Sequence, residues 1–236
     1  MSFTNINIIS LSEIDSTNEE AKREIDRGHT IPFVITAEIQ TGGRGRFQRR
    51  WQSPLNSGLY ASWCFKENEH SLTSLLSAYA CVKALSRLNI VVQIKWPNDL
   101  IYNNRKLGGI LVESYKGFSI IGIGINLVSN MAFPKTAISI SEIVNNLGYT
   151  DLKLKLIDSI STALVNIFVH AKFNLDEIYK ILLPKIGDHI SFVKECNTFS
   201  GRVIGYDQGF LILEDENQNQ HKLASEEISL HNLRLV

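Results

Sequence analysis

Ile121-Gly-Ile-Gly-Ile-Asn126 has the look of a dinucleotide-binding loop, and its surroundings withdraw that reading. A GxGxxG fingerprint needs a third glycine and a strand–turn–helix setting within a βαβ unit. Here the third glycine position is Leu127, and the flanking sequence is strand after strand. Residues 91–95, 100–102, 106–114 and 118–125 all have strand character, with Asn103-Asn104 as a tight turn between two of them. Glycines alternating with isoleucines describe a strand whose glycine side lets a flat ligand, a helix or another backbone lie close. The fold expected is therefore α+β, a mixed sheet with flanking helices rather than a doubly wound parallel one.

Upstream, residues 7–11 read as a short strand. Ser16-Thr17-Asn18-Glu19 has capping-box spacing for a helix that Gly28 would end. Residues 33–39 and 59–65 read as strands, and 71–88 as a helix with Leu72, Leu75, Leu76, Tyr79 and Ala80 on one face. Downstream, helical patterns resume at Ile138 and the longest covers 152–171. Pro184 closes the last helix, and the character then changes to short strands at 188–193, 199–206, 210–213, 221–223 and 228–230. Such strands separated by Gly, Asn and Asp turns indicate a small β-barrel. Two domains are expected, 1–183 and 184–236.

The chain has 236 residues, 24 Lys+Arg against 24 Asp+Glu, and a formal net charge of zero. With 44% hydrophobic and 20% charged residues it can bury a real core and is not disordered. Neutrality argues against a whole-protein footprint on DNA or acidic membranes, while leaving room for a locally charged site. No apolar run is long enough for a membrane span, and the N-terminus carries no secretory pattern, so a cytoplasmic protein is expected. Cys64, Cys81 and Cys196 are few, odd in number and far apart, which favours buried reduced thiols over disulfides or zinc.

Three segments could carry chemistry. Gln40-Thr-Gly-Gly-Arg-Gly-Arg-Phe-Gln-Arg-Arg-Trp51 is a long loop holding four arginines and no acid between 41 and 51. Its composition fits a solvated basic loop or a cradle in which backbone N–H groups and guanidinium forks meet an anion. Ile94-Lys-Trp-Pro-Asn-Asp-Leu100 collects Lys95, Asn98 and Asp99 at a strand exit, as an ordinary turn would or as a phosphate–Mg²⁺ site would. Lys106, on the partner strand of the same hairpin, can return beside that cluster by antiparallel pairing. Asn126, at the end of the glycine-alternating strand, completes the set.

In this order, Asp15-Ser-Thr-Asn18, Gln40-Thr-Gly-Gly-Arg-Gly-Arg46, Trp51, Lys95-Trp-Pro-Asn-Asp99, Arg105-Lys-Leu-Gly-Gly109 and Gly124-Ile-Asn126 resemble the biotin protein ligases. The resemblance covers residues 7 to about 130. It implies a catalytic domain related to class II aminoacyl-tRNA synthetases and lipoate ligases, followed by a small SH3-like β-barrel. It also implies a two-step reaction: biotin and ATP give biotinyl-5′-AMP and pyrophosphate, and biotin then passes to a lysine of a biotin carboxyl carrier domain. By the same resemblance Ser16, Thr17, Asn18, Gln40, Gly43, Arg44, Gly45, Arg46, Lys106 and Gly109 surround biotin. Arg44, Arg46, Trp51, Lys95, Asn98 and Asn126 meet ATP. Arg46, Lys95 and Lys106 are the catalytic cations, and Asp99 is a Mg²⁺ ligand or outer-sphere partner. Ser16 has a second reading as helix N-cap.

Where many members carry a basic residue and glycine, this chain has Phe47-Gln48, which bears on loop closure and adenylate retention. Only fourteen residues precede Asp15, so no N-terminal helix-turn-helix domain is expected and neither is a repressor role. Edge strands allow a homodimer. The rival readings are a lipoate or octanoate ligase and a non-catalytic nucleic-acid or carrier-binding module.

Overall fold

The computed structural model describes residues 6–67, 72–144, 148–194 and 197–224. Strands β1 (Asn7–Ile14), β2 (Phe33–Gln40), β3 (Gly58–Lys66), β4 (Gln93–Lys95), β5 (Asp99–Tyr102), β6 (Arg105–Tyr115), β7 (Phe118–Asn126) and β8 (Leu182–Leu183) form one sheet. Their order is β1-β2-β3-β7-β6-β5-β4-β8. Only the two outer pairs, β1 with β2 and β4 with β8, are parallel. The others are antiparallel, so the sheet is mixed, as the strand-after-strand sequence pattern requires.

Period-2 alternation assigns the faces. Leu59, Ala61, Trp63 and Phe65 of β3 and Ile121, Ile123 and Ile125 of β7 bury against helices α2 (Thr73–Ser86) and α3 (Tyr149–Phe168). The Trp63 indole donates to Ser161 Oγ of α3 at 2.8 Å. On the opposite face, Phe33, Ile35, Cys64 and Ile120 pack against Ala21 of α1 (Thr17–Asp26). Burial pushes the Cys64 thiol up to about 12, and Cys81 is likewise raised, so both are inert core residues. Because the isoleucines of β7 face α2 and α3, Gly122 and Gly124 must face the other side, where the site lies.

Several local expectations change. Ser16 stands at the N-cap of α1 but makes no side-chain cap bond, and Glu19 binds basic side chains instead of closing a capping box. A capping box does form at Ser139, whose backbone and hydroxyl both meet the Glu142 carboxylate at 2.9 Å. The helical pattern at 138 is thus a single 3-10 turn, Ile140–Glu142, and the long helix runs Tyr149–Phe168 rather than 152–171. The two-residue β8 follows the short helix α4 (Leu175–Lys180) and was not foreseen. Its length is below what periodicity can register.

A second, four-stranded antiparallel sheet follows, ordered β12-β11-β10-β9 from β9 (His189–Lys194), β10 (Asn197–Asp207), β11 (Phe210–Glu214) and β12 (Gln220–Leu223). The strand expected at 228–230, like Cys196, lies outside the described residues. The core of this sheet is Ile190, Val203, Leu211, Leu213 and Leu223, completed by Trp96 from the first sheet's side. Trp96 is 1% exposed; its indole donates to Gly209 O at 2.8 Å and its backbone N–H to Leu183 O at 2.8 Å. The residue between Lys95 and Pro97 therefore anchors the small sheet to the large one. Truncation at a packed aromatic typically costs about 3–5 kcal/mol. Trp96→Ala should lower stability by that order in denaturant unfolding, and an unchanged midpoint would contradict the shared core.

Candidate functional site

A cavity of about 370 Å³ opens on the α1 side of the large sheet. Its floor is β6 and β7 at their glycines, with Gly109 paired opposite both Asp99 and Gly124. A Cβ on Gly122 would fall 2.4 Å from Asn18 Oδ1, and one on Gly124 would fall 2.6 Å from the Trp51 ring. The two glycines thus let an amide and an indole lie flat on the strand, so the close approach expected there is made by side chains of this chain. Trp51 Nε1 is buried without a hydrogen-bond partner.

One wall is the first turn of α1. The Thr17 backbone N–H donates to Gln40 Oε1 at 2.9 Å and its hydroxyl lies 3.1 Å from the same oxygen, while Gln40 Nε2 donates to Ser53 Oγ at 2.9 Å. Ser62 Oγ lies 2.7 Å from Thr17 Oγ1 and 2.6 Å from Asn18 Oδ1, and its single proton serves one of them at a time. Asn18 Nδ2 donates to Glu113 Oε2 at 2.6 Å. Ser16, Thr17 and Asn18 are each under 5% exposed, yet all three line the cavity. Ser16 makes no side-chain cap bond and lines the cavity.

The loop after β2 roofs the cavity. Gly45 N–H donates to Arg49 O at 2.7 Å, and Trp51 N–H to Gly43 O at 2.9 Å, folding the loop back on itself. Gly43 sits behind the wall: a Cβ there would meet Ser53 Oγ and Trp51 O at 2.8 Å. Arg44 pairs with Glu19 and reaches Glu113 at 3.4 Å. Arg46 crosses to Asn98 Oδ1 at 3.2 Å and lies 5.0 Å from the Phe47 ring centre, with Arg49 on the same ring at 5.4 Å. Phe47 and Gln48 take φ of 55° and 56°, a left-handed pair where glycine would be unstrained.

Opposite the roof, the hairpin brings Lys106 Nζ to 2.7 Å from Asp99 Oδ1 and to 5.4 Å from the Trp51 ring centre. A bulge between Leu100 and Ile101 sets that register. Burial pushes the Lys95 ammonium below the usual lysine range; Asp99 opposes this and Lys106 adds to it. Asn98 Nδ2 donates to Ile110 O at 2.7 Å. Asn126 spends its amide hydrogens on Ile138 O at 3.0 Å and Lys106 O at 3.3 Å, so it ties down the following segment and keeps only its oxygen for another partner.

The cavity therefore gathers Arg44, Arg46, Arg49, Arg50, Lys95 and Lys106 around a single lining acid, Asp99. Every proposed site residue except Gly43 lines it. Among the described residues no group of three or more His, Cys, Asp or Glu could cage a metal. One carboxylate fits Mg²⁺ only in the manner in which water and phosphate oxygens supply the remaining ligands. Four contributors escaped sequence reading. Ser53 and Ser62 are isolated serines with no pattern around them. Glu113 follows Gly109 on β6 at a strand position that looks merely alternating. The segment with Phe133, Pro134, Thr136 and Ala137 closes the far side, and the Ser139–Glu142 spacing was the available signal for it.

The model of the Biotin/lipoate A/B protein ligase family matches residues 12–130, half of the chain. The bifunctional ligase/repressor BirA of Escherichia coli is 34% identical over 168 residues, covering 65% of this chain and 52% of that protein. Its Salmonella typhimurium counterpart is 36% identical over 131 residues, covering 51% of this chain and 41% of that protein. The chain thus spans about half or less of the length of these relatives. Among solved structures, the biotin protein ligase from Aquifex aeolicus in complex with biotin and ATP superposes with a TM-score of 0.78 at 28% identity, covering 94% of this chain and 97% of that one. Motif order, fold and cavity agree with these findings, and the chain belongs to the biotin/lipoate A/B protein ligase family.

Proposed function

We propose that the chain is an ATP-dependent biotin protein ligase that activates biotin as biotinyl-5′-AMP and transfers it to a lysine of a biotin carboxyl carrier domain. The observation that carries this reading is the excess of six cationic side chains over one acid around a cavity that also holds the Thr17–Gln40 pair and the glycine floor. Such a site suits two anions that must react with each other, a carboxylate and a triphosphate.

In the first step a biotin carboxylate oxygen attacks the α-phosphorus, the bond to the bridging oxygen of pyrophosphate breaks, and pyrophosphate leaves. Arg46 and Lys106, on opposite sides of the cavity, offset the repulsion between carboxylate and phosphate. Lys95, half-buried behind them, adds a fixed charge. Lys106 exchanges its Asp99 partner for the incoming carboxylate, which frees Asp99. Mg²⁺, held by Asp99 directly or through water, would supply further charge neutralisation to the phosphates. In the second step the carrier lysine amine attacks the acyl carbon and AMP leaves. The side chains of this site orient and neutralise; none is needed as a nucleophile. Gln40 and Thr17 set hydrogen bonds for the uncharged end of biotin, and Trp51 offers its face to the nucleotide.

Biotin-dependent exchange of pyrophosphate into ATP tests the reading. Exchange with biotin and none with lipoate is expected, and Lys106→Ala should reduce it by about a hundredfold or more, the loss typical of a transition-state charge contact. Exchange with lipoate alone would assign the chain to the other branch of the family, and salt-sensitive oligonucleotide binding without adenylation would support the binding-module reading.

The Lys95 environment adds a pH signature. Its lowered proton affinity in the free protein means that it loses its charge at a lower pH than an ordinary lysine. ATP affinity should fall as pH rises through that point, and Lys95→Arg should remove the alkaline decline. An identical alkaline profile in Lys95→Arg would take Lys95 out of the anion site.

A further inference from the structure

Glu113, on β6 at the rim of the site, bonds side chains of both α1 and the roofing loop. Its Oε2 accepts from Asn18 Nδ2 at 2.6 Å, in α1. Its Oε1 accepts from Lys22 Nζ at 3.0 Å, one turn further along α1, and faces Arg44 Nη2 of the roofing loop at 3.4 Å. Lys22 and Arg44 both continue to Glu19, so two carboxylates and two cations close a ring between α1, β6 and the loop. The Glu113 side chain is 24% exposed, which leaves these bonds incompletely screened.

The consequence for Asn18 is an orientation. Its amide nitrogen faces two acceptors, the Glu113 carboxylate and Leu111 O at 3.4 Å, while its oxygen faces Ser62 Oγ. A rotated amide would set oxygen against oxygen at Glu113. The amide lies directly against Gly122, where any side chain would fall 2.4 Å from Asn18 Oδ1. The consequence for the loop is a latch, because Arg44, while lining the cavity, is tied to Glu19 of α1 and Glu113 of β6.

We propose that Glu113 is a positioning residue that fixes the Asn18 amide for recognition of the uncharged, hydrogen-bonding end of the substrate and, through Arg44, latches the glycine-rich loop closed. For the identity of that substrate the proposal rests on the biotin reading above; the latch does not. The carboxylate does both jobs by different means, a hydrogen-bond acceptor for Asn18 and a negative charge for Lys22 and Arg44. Glutamine keeps the first and removes the second.

The experiment compares wild type, Glu113→Gln and Glu113→Ala, each checked for native circular dichroism. Biotin affinity is measured by calorimetry without ATP, and cleavage by trypsin at Arg44, Arg46, Arg49 and Arg50 is timed in the ligand-free protein. Glu113→Ala should weaken biotin roughly ten- to hundredfold, the loss expected when a charged acceptor is removed from a buried amide. Glu113→Gln should stay within about threefold of wild type for biotin. Both variants should be cut in the loop several-fold faster than wild type. Equal biotin affinity in Glu113→Ala and wild type overturns the Asn18 assignment, and unchanged cleavage overturns the latch. Equal loss of biotin affinity in both variants would also overturn the split, since a purely structural carboxylate predicts that result. If wild type binds no biotin, the substrate reading fails on its own, and the cleavage rates still decide the latch.

Discussion

Cations gathered around one cavity repel one another: two unit charges 4 Å apart at an effective dielectric of about 20 cost about 4 kcal/mol. The fold has to hold six of them at a site whose lining offers one acid. It does so with separate restraints on Arg44, Arg46, Lys106 and Lys95. Arg44 is held by Glu19 and Glu113, Arg46 by Asn98 and the Phe47 ring, and Lys106 by Asp99. Lys95 is held by position, next to a tryptophan sunk in the second sheet, and burial, with Lys106 adding to it, lowers its proton affinity. The site's readiness for polyanions and its internal tension have one origin.

This also revises the meaning of the chain's zero net charge. Glu214, Asp215 and Glu216 form an acidic cluster in the distal segment, far from the basic loop in sequence. The structure places Glu19 and Glu113 immediately behind the basic loop, where they hold Arg44 without entering the cavity. Asp215 is occupied locally by His221 and by the turn to Asn219, and its carboxyl is held down to about 2. Neutrality is achieved at the site's own back wall as well as far from it.

What the sequence made legible was whatever repeats or is locally self-contained. The alternation of 121–126, the Asn103-Asn104 turn with both φ positive, the apolar face of α2 and the clustering of Lys95, Asp99 and Lys106 all follow from short-range rules. Contacts chosen by tertiary packing were not legible. The Ser16 cap lost to the cavity, Asn126 turned out to brace the 127–138 segment, and Trp96 filled the core of a sheet more than a hundred residues away. Gly43, placed beside biotin by the resemblance, instead has its open side filled by Ser53 and Trp51. Phe47 and Gln48 stood out as a departure, and their left-handed backbone gives that departure a physical cost of about 1–2 kcal/mol per residue.

The central claim is that this cation-rich, glycine-floored cavity takes biotin and ATP together. A crystal structure of the protein grown with biotin and a non-hydrolysable ATP analogue tests it most directly. The account predicts the biotin carboxylate within hydrogen-bonding distance of Lys106 or the Arg44–Arg46 segment, with the α-phosphate beside it. Biotin absent from the cavity, or bound with its carboxylate directed away from those cations, would contradict it.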